Sequence, residues 1–351
     1  MTDRRVAYHL EPRHGVDGRR RVGGLRRRPQ PLPEPGPNQV VVRVRAASLN
    51  RRDLMLMDGT YPLVATPGVI PLSDGVGEVV AVGHAVTRVA PGDRVSSTYF
   101  LHWIGGPQRL AHVREQFGAN HDGWLAGHVV LGEESAVRVP DHLTDPEAAS
   151  LTCAGVVAWA ALTRPVPVAP GETVLTVGTG AVALFAVQFA KLHGARVISV
   201  TSGPEKAERL RELGADEAVD RTGTPGWDEA VLKLTAGDGA DHIVDAVGML
   251  TLPKSVASGA YNARVTLVGA FPTPPLAAPP PTENLFAGRY LSIRRIAVGS
   301  RTDFEAMNRA LAVHRTRPVV DRVFGFDEAA EAYRYLREGN PFGKVVVDCP
   351  A

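Results

Sequence analysis

Residues 173–206 read Thr173-Val-Leu-Thr-Val-Gly178-Thr-Gly180-Ala-Val-Ala-Leu-Phe-Ala-Val-Gln-Phe-Ala-Lys-Leu-His-Gly194-Ala-Arg-Val-Ile-Ser-Val-Thr-Ser-Gly203-Pro-Glu-Lys206. A short β-branched run, Thr173 to Val177, meets the Gly178-Thr179-Gly180 turn. A helical apolar pattern (Val182, Phe185, Ala186, Phe189, Ala190, Leu192) then runs to Gly194, and a second β-branched run, Arg196 to Val200, follows. This is a strand, tight turn, helix, strand unit. Gly178 permits the turn, and Gly180 lets the backbone amides of Ala181 and Val182 approach a pyrophosphate at the positive end of the helix. Ala183 supplies the third small position, where helix and strand pack closely. A glycine pattern of this kind is weak alone. Its placement after a strand and at the opening of a helix makes it a dinucleotide fingerprint.

The end of the second strand decides between the two nicotinamide nucleotides. A site for the unphosphorylated form places Asp or Glu about 20 residues past the first glycine, on the ribose hydroxyls. Here that place holds Thr201-Ser202-Gly203, with Lys206 just beyond. Two hydroxyls and an ammonium suit a 2′-phosphate that a carboxylate would repel, so the expected cofactor is NADPH. Arg221, after the next β-branched segment (Asp216 to Asp220), offers a second cation or a surface residue. Asp241 to Val247 and Arg264 to Gly269 continue an alternating α/β pattern. Their ends, Val247-Gly248 and Val268-Gly269-Ala270, belong at the carboxyl edge where open α/β sheets bind ligands.

A chain of 351 residues with 44% hydrophobic content has room for two domains. Its formal charge of +2 argues against a nucleic-acid partner. Nine arginines fall within the first 28 residues, but Asp3, Glu11 and Asp17 interrupt them, which fits an opening hairpin better than a basic arm. No apolar run suggests a leader or a membrane span. Cys153 and Cys349, the two cysteines, are not spaced as a pair, so a reducing, cytoplasmic location is expected.

Before the fingerprint the chain reads as short β-segments: residues 38–49, then Asn50 to Tyr61-Pro62 as a short helix and turn, then Pro71 to Gly83 and Val89 to Val95. Together they predict a partly closed β-rich domain. Residues 96–128 form a long connection carrying Tyr99, Phe100, His102, Trp103, His112, Phe117, His121, Trp124 and His128, which reads equally as a binding wall or as a packed excursion. Pro272 to Pro281 can be neither helix nor central strand.

Five stretches resemble the medium-chain dehydrogenase/reductase superfamily, in its zinc-free, quinone-oxidoreductase-like or zinc-type alcohol dehydrogenase-like branch. They are Ala46-Ala-Ser-Leu-Asn50-Arg-Arg-Asp53; Ile70-Pro-Leu-Ser-Asp-Gly-Val-Gly-Glu-Val-Val80; Pro91-Gly-Asp-Arg-Val95; Ala297-Val-Gly-Ser-Arg301 with Phe304-Glu-Ala-Met-Asn-Arg309; and Phe342-Gly-Lys344-Val-Val346. The resemblance implies an α/β fold: a Rossmann doubly wound parallel sheet over 144–301, and a β-rich GroES-like catalytic domain over 1–143 completed by 302–351. Zinc-dependent members carry Cys at the place of Asn50, His-Glu at Ser73-Asp74 and a four-cysteine lobe within 96–123. Cys153 falls near a third ligand position, but one soft ligand without a histidine cannot hold tetrahedral zinc, so no metal is expected.

By the same resemblance, Asn50 and Tyr61 face nicotinamide and substrate. Asn50 would donate its amide to an oxygen, and Tyr61 would donate or route a proton. The plainer alternatives are a helix N-cap with Asp53 for Asn50 and turn packing for Tyr61. Gly299, Ser300, Arg301 and Lys344 fall beside the cofactor, with an ordinary salt bridge as the alternative for Arg301. The chain departs from many relatives at Val157, where a hydroxyl is common, and at Ala181 and Ala183. Without Lewis-acid help, a conjugated acceptor is the easier hydride acceptor, since its developing enolate needs only hydrogen bonds and a proton. The leading expectation is therefore an NADPH-dependent reductase of a quinone, enone or enoyl compound. The alternatives are a zinc-free alcohol or ketone oxidoreductase of a natural-product intermediate, and a non-catalytic NADPH-binding scaffold or sensor. A small-molecule substrate and a homodimer complete the expectation.

Overall fold

Consecutive valines at Val40, Val41 and Val42 suit a strand covered on both faces, and that strand becomes the centre of the first of two units. The computed structural model describes residues 4–14, 20–269 and 290–349. Ala270 and Pro272 to Pro281 lie outside them. One unit comprises residues 1–156 with 299–351, the other 157–298. The divisions fall at 156/157 and 298/299, where the sequence suggested 143/144 and 301/302.

In the first unit, β1 (Arg4–His14) and β2 (Arg20–Pro31) pair as the expected antiparallel hairpin. It is less solvated than its arginines suggest, because Ala7, Tyr8 and Leu10 are buried. The main sheet is built from β3 (Gln39–Leu49), β4 (Asp74–Val82), β5 (Arg94–Ser97), β6 (His128–Gly132) and β7 (Ala136–Arg138). Two late strands, β14 (Val320–Gly325) and β15 (Lys344–Asp348), return to it, giving the order β14-β15-β3-β4-β5-β7 with β6 paired to β3. Val42, Val44, Ala47, Leu49, Val345 and Val347 join Trp124, Leu125 and Phe117 in its core, each large apolar side chain contributing about 1.5–3 kcal/mol.

Much of 96–128 packs inward: Tyr99, Phe100, Trp103, Phe117 and Trp124 are all buried.

In the second unit, β8 (Thr173–Val177), β9 (Arg196–Thr201), β10 (Glu217–Asp220), β11 (Ala240–Asp245), β12 (Gly259–Val268) and β13 (Ser292–Ile296) form one parallel sheet. Its order, β10-β9-β8-β11-β12-β13, is that of the doubly wound dinucleotide fold. The order reverses between β8 and β11, so a crevice opens at the carboxyl ends of those strands. The helix Ala181–Leu192 buries Phe185, Ala186, Phe189 and Ala190 of its predicted face, while Val182 and Leu192 are half-buried.

The pairing of β3 with β4 is close at Gly77. A Cβ there would stand 2.2 Å from the Arg43 carbonyl oxygen and 2.7 Å from Val42 Cγ1. Gly77→Ala is expected to destabilise the chain by about 3 kcal/mol, read as a lower urea midpoint. An unchanged midpoint would mean that the two strands are not held at this spacing.

Candidate active site

Strand register assembles the polar centre of the first unit. Antiparallel pairing sets Val345 against Leu49 and Ser48 against Asp74. The residues at that end of three adjacent strands, Lys344, Asn50 and Asp74, therefore converge. Lys344 Nζ donates to Asn50 Oδ1 at 2.7 Å and to the Leu49 carbonyl at 2.9 Å, and pairs with Asp74 Oδ2 at 3.4 Å. Asp74 is anchored by the Cys153 N–H at 3.1 Å and the Ser73 hydroxyl at 2.7 Å. Cys153 can reach it because Leu151–Gly155 forms a π-helical turn, a local widening that often marks functional sites. Lysine has no acceptor, so the amide orientation is fixed: Oδ1 faces Lys344. Asn50 Nδ2 is buried with no partner among the described residues.

Two residues further on, Arg52 is 5% exposed. Its guanidinium donates to the Phe117 carbonyl at 2.9 Å and to Gln116 Oε1 at 3.0 Å. Its Cζ stands 4.5 Å from the Tyr99 ring centroid and 5.1 Å from that of Tyr61. The Tyr61 hydroxyl hydrogen-bonds to the Tyr99 hydroxyl at 2.9 Å and donates to Gln116 Oε1 at 3.2 Å. Two phenols and a cation thus form one connected network, in which the guanidinium favours negative charge on the rings beside it.

Burial and charge set the protonation of the surroundings. Desolvation lifts the Asp53 carboxyl to about 6 against the pull of Arg52, and lifts the Cys153 thiol to about 12, assisted by Asp74. Desolvation also holds the Tyr99 phenol well above its usual range. Burial alone would depress the Arg52 guanidinium, but Tyr99, Tyr61 and Asp53 outweigh it and raise its affinity for the proton. Cys153 and Tyr99 are therefore neutral at physiological pH. Asp53 Oδ1, Arg52 Nε and the Tyr333 hydroxyl are also buried without partners among the described residues.

In the second unit, the predicted nucleotide residues line up at the carboxyl ends of the strands. Gly178 has φ +106°, and its amide donates to the Val200 carbonyl at 2.9 Å. A Cβ on Gly178 would meet Val247 Cγ2 at 3.2 Å, so the turn after β8 abuts the loop after β11. A Cβ on Gly180 would meet nothing within 4 Å. The space a side chain would fill is therefore open at the start of the helix, where the Ala183 and Leu184 amides bond to the Gly180 carbonyl and those of Ala181 and Val182 precede the first intrahelical bond. The Val247-Gly248 loop is held by buried Asp245, whose Oδ1 accepts both amides at 2.9 Å. Thr201 Oγ1 is buried and without a partner among the described residues at the end of β9, Ser202 and Lys206 are half-buried, and Arg221 is exposed. The Arg221 amide donates to the Thr201 carbonyl at 3.0 Å. Val268 is buried and Gly269, at φ +69°, exposed. These residues fit a dinucleotide: a cradle open where a side chain would fill it, orphaned amides and an unsatisfied hydroxyl.

Four of the candidates make contacts within the first unit. Lys344 is 2% exposed, and its three N–H groups are directed inside the unit. Ser300 caps the helix Arg301–His314, its hydroxyl donating to Asp303 Oδ2 at 2.6 Å. Arg301 pairs with Glu134 and lies 3.5 Å from Glu305, the salt bridge weighed against a cofactor role. Gly299 is a packing position, where a Cβ would stand 2.8 Å from Val156 Cγ1. Asn50 is a helix N-cap only through its backbone: its N–H donates to Asp53 Oδ2 at 2.7 Å, while its side chain turns to Lys344. Arg52, Tyr99, Gln116, Asp74 and Asp220 were not foreseen as site residues. Asp220 matters because it accepts the Gly203 amide at 2.8 Å beside the Thr201-Ser202 corner, and bonds to Thr222 keep its carboxyl below the usual range.

This architecture, a doubly wound nucleotide-binding sheet and a β-rich unit with a buried polar centre, defines a class of oxidoreductase. Residues 181–312 match the zinc-binding dehydrogenase family model and residues 36–141 the alcohol dehydrogenase GroES-like domain. A zinc-type alcohol dehydrogenase-like protein of Schizosaccharomyces pombe is 36% identical over 89% of this chain and 91% of its own length. An acryloyl-coenzyme A reductase of Metallosphaera sedula is 30% identical over 90% and 93%. The crystal structure of an NAD-dependent alcohol dehydrogenase superposes with a TM-score of 0.83 at 32% identity, covering 98% of this chain and 99% of that one. The chain belongs to the medium-chain dehydrogenase/reductase superfamily and is an oxidoreductase.

Zinc, which the matched family's description implies, does not fit the residues at the polar centre. Asn50, Ser73 and Asp74 offer one carboxylate, already engaged by Lys344, Ser73 and the Cys153 amide, and Cys153 adds a single thiol, too few donors for tetrahedral zinc. An ammonium stands among them, and a second cation would be repelled. Among the described residues no group of three or more His, Cys, Asp or Glu side chains is placed to hold a metal ion.

Asp53 makes stability depend on pH. Its folded value, about 6, exceeds an unfolded value of about 3.9. Its contribution is therefore complete below about pH 4 and lost as pH rises through about 6, a change of at most about 3 kcal/mol. Asp53→Asn keeps a neutral acceptor for Asn50 at every pH. In urea titrations, the stability of wild type relative to the variant should decline between pH 4 and 6 and level off above; a relative stability that grows with pH would contradict a raised Asp53.

Proposed function

We propose that the chain is an NADPH-dependent reductase of conjugated carbonyls, that is, enones, quinones or enoyl thioesters, working without zinc. The observation carrying this reading is the polar centre itself: a neutral amide donor backed by an ammonium stands where a metal donor set would be needed, suiting an acceptor whose oxygen asks only for hydrogen bonds. The acryloyl-coenzyme A reductase among the relatives supports the same class of substrate.

When bound, the nicotinamide nucleotide supplies the hydride. The amides from Thr179 through Val182, past the turn made at Gly178, would hold its pyrophosphate, Val247, Val268 and Gly269 would border it, and Thr201, Ser202, Lys206 and Arg221 would take the adenosine phosphate. Asn50 Nδ2 donates to the substrate oxygen as charge develops on it. Tyr61 delivers a proton to the reduced substrate, and Arg52 beside its ring stabilises the phenolate until solvent returns the proton. The expected homodimer would pair along β13, the sheet edge. No helix among the described residues is long and apolar enough to cross a membrane, and a cytoplasmic enzyme is in keeping with that. The alcohol dehydrogenases among the relatives favour a second reading, reduction of a plain ketone or oxidation of its alcohol.

Loss of 340 nm absorbance on mixing the protein, NADPH and an α,β-unsaturated ketone or a quinone, unaffected by EDTA, is the expected result. Chelator-sensitive oxidation of a simple alcohol, with no turnover of conjugated acceptors, would overturn it. Cofactor choice is tested separately: Ser202→Asp sets a carboxylate against the 2′-phosphate and should raise the KM for NADPH about tenfold while leaving that for NADH nearly unchanged. Equal KM values for the two nucleotides in the wild type would refute the NADPH assignment.

A further inference from the structure

Lys344 is one of the largest fully buried side chains in the chain, and nothing in a general hydride transfer requires a lysine there. Its ammonium has three acceptors, and the shortest of its bonds goes to a neutral one, Asn50 Oδ1 at 2.7 Å, rather than to the Asp74 carboxylate at 3.4 Å. The same carboxamide keeps a buried amino group with no partner among the described residues. An unsatisfied buried donor is costly, so this one calls for an explanation. The two observations explain each other if the amino group is reserved for an oxygen that arrives from outside.

We propose that Lys344 is a positioning residue that orients and polarises the Asn50 carboxamide, turning Nδ2 into a strong hydrogen-bond donor for the substrate oxygen. The assignment rests on Asn50 donating to that oxygen, as proposed above. Orientation follows from chemistry, because an ammonium can only donate: Oδ1 is drawn to Lys344, and the two N–H bonds of Nδ2 are turned away from it. Polarisation follows from charge. A cation on Oδ1 favours the amide resonance form with positive charge on nitrogen, which makes both N–H groups better donors. Charge-assisted bonds are about twice as strong as neutral ones, and chained bonds reinforce one another. Asp74, fixed by Ser73 and the Cys153 amide, and the Leu49 carbonyl hold the ammonium at the convergence of β15, β3 and β4. The donor is thereby set by the sheet rather than by a loop.

Lys344→Met removes the charge and keeps an unbranched side chain one atom shorter, and Asn50→Ala removes the relay. In the full-length protein with NADPH and an enone, Lys344→Met should lower kcat about thirtyfold, with the Kd for NADPH, read by fluorescence quenching, within about twofold of wild type. In the Asn50→Ala background the same substitution should cost no further activity, whereas a merely structural lysine would give additive losses. Should methionine prevent folding, Lys344→Gln retains an N–H donor without charge and should still lose at least about fivefold in kcat. An unchanged kcat, or additivity with Asn50→Ala, overturns the proposal. A readout independent of turnover separates it from the reductase reading. In asparagine-labelled protein, the Asn50 side-chain amide protons, assigned with Asn50→Ala, should resonate downfield of free amides in wild type and return towards them in Lys344→Met. If they do not move, Lys344 does not act through Asn50. If wild type turns over no conjugated acceptor while those protons do move, the reductase reading fails and the positioning role stands.

Discussion

A lysine ammonium that is 2% exposed must find acceptors, because an unpaired charge in that surrounding costs several kcal/mol. Lys344 finds them on two neighbouring strands: the Leu49 carbonyl and Asn50 Oδ1 at the end of β3, and Asp74 at the start of β4. The last strand is thereby fastened to the first long strand of the sheet, across about 300 residues of chain. The contact is unforgiving. Removing either charge strands the other in the interior, a loss of about 3–5 kcal/mol where such pairs have been broken. A clamp of this kind favours one register, and a slip of β15 by one residue would turn Lys344 to the opposite face and separate it from both partners.

The second unit obeys a different constraint. Six parallel strands deliver their carboxyl ends to one edge, where the strand order reverses between β8 and β11. Gly178 lets the first loop turn at a positive φ, and Asp245 fastens the second through two amides and the hydroxyls of Thr251 and Ser255. The crevice is thus rigid on the β11 side. It is open on the Gly180 side, which is the asymmetry required for backbone amides to meet a ligand rather than a side chain.

The sequence made this second unit readable because its signals are local. Strand, glycine turn and helix follow within 34 residues, and the apolar period alone sets which helix face is buried. Asn50 and Lys344 could each be singled out by resemblance, but their contact could not, because it depends on the registers of β15 on β3 and of β3 on β4. The same limit hides the burial of Lys344: a lysine after a glycine near a strand looks solvated unless the acceptors around it are known. Arg52 was hidden for a related reason, since an arginine in an Arg51-Arg52-Asp53 run reads as surface charge until Tyr61, Tyr99 and Gln116, brought from three separate segments, close over it. Residues 96–128 stayed undecided because aromatic side chains serve a binding wall and a core equally well.

The protonation pattern at the centre of the first unit has a consequence for charge. Arg52 and Lys344 are the cations there, and Asp53 and Asp74 the anions, while Cys153 and Tyr99 are held neutral by burial. Above about pH 6 the two pairs cancel; below it Asp53 takes a proton and the centre gains one positive charge. The amide of Asn50 does not titrate, so its capacity to donate is the same on both sides of that change. In the reaction proposed, this would separate two tasks that a single acid would have to combine: a fixed donor would stabilise the charge, and a phenol hydrogen-bonded within another network would handle the proton. A site of this kind stabilises an oxyanion through dipoles already in place, with little reorganisation, which is the condition under which hydrogen bonds contribute most to lowering a barrier.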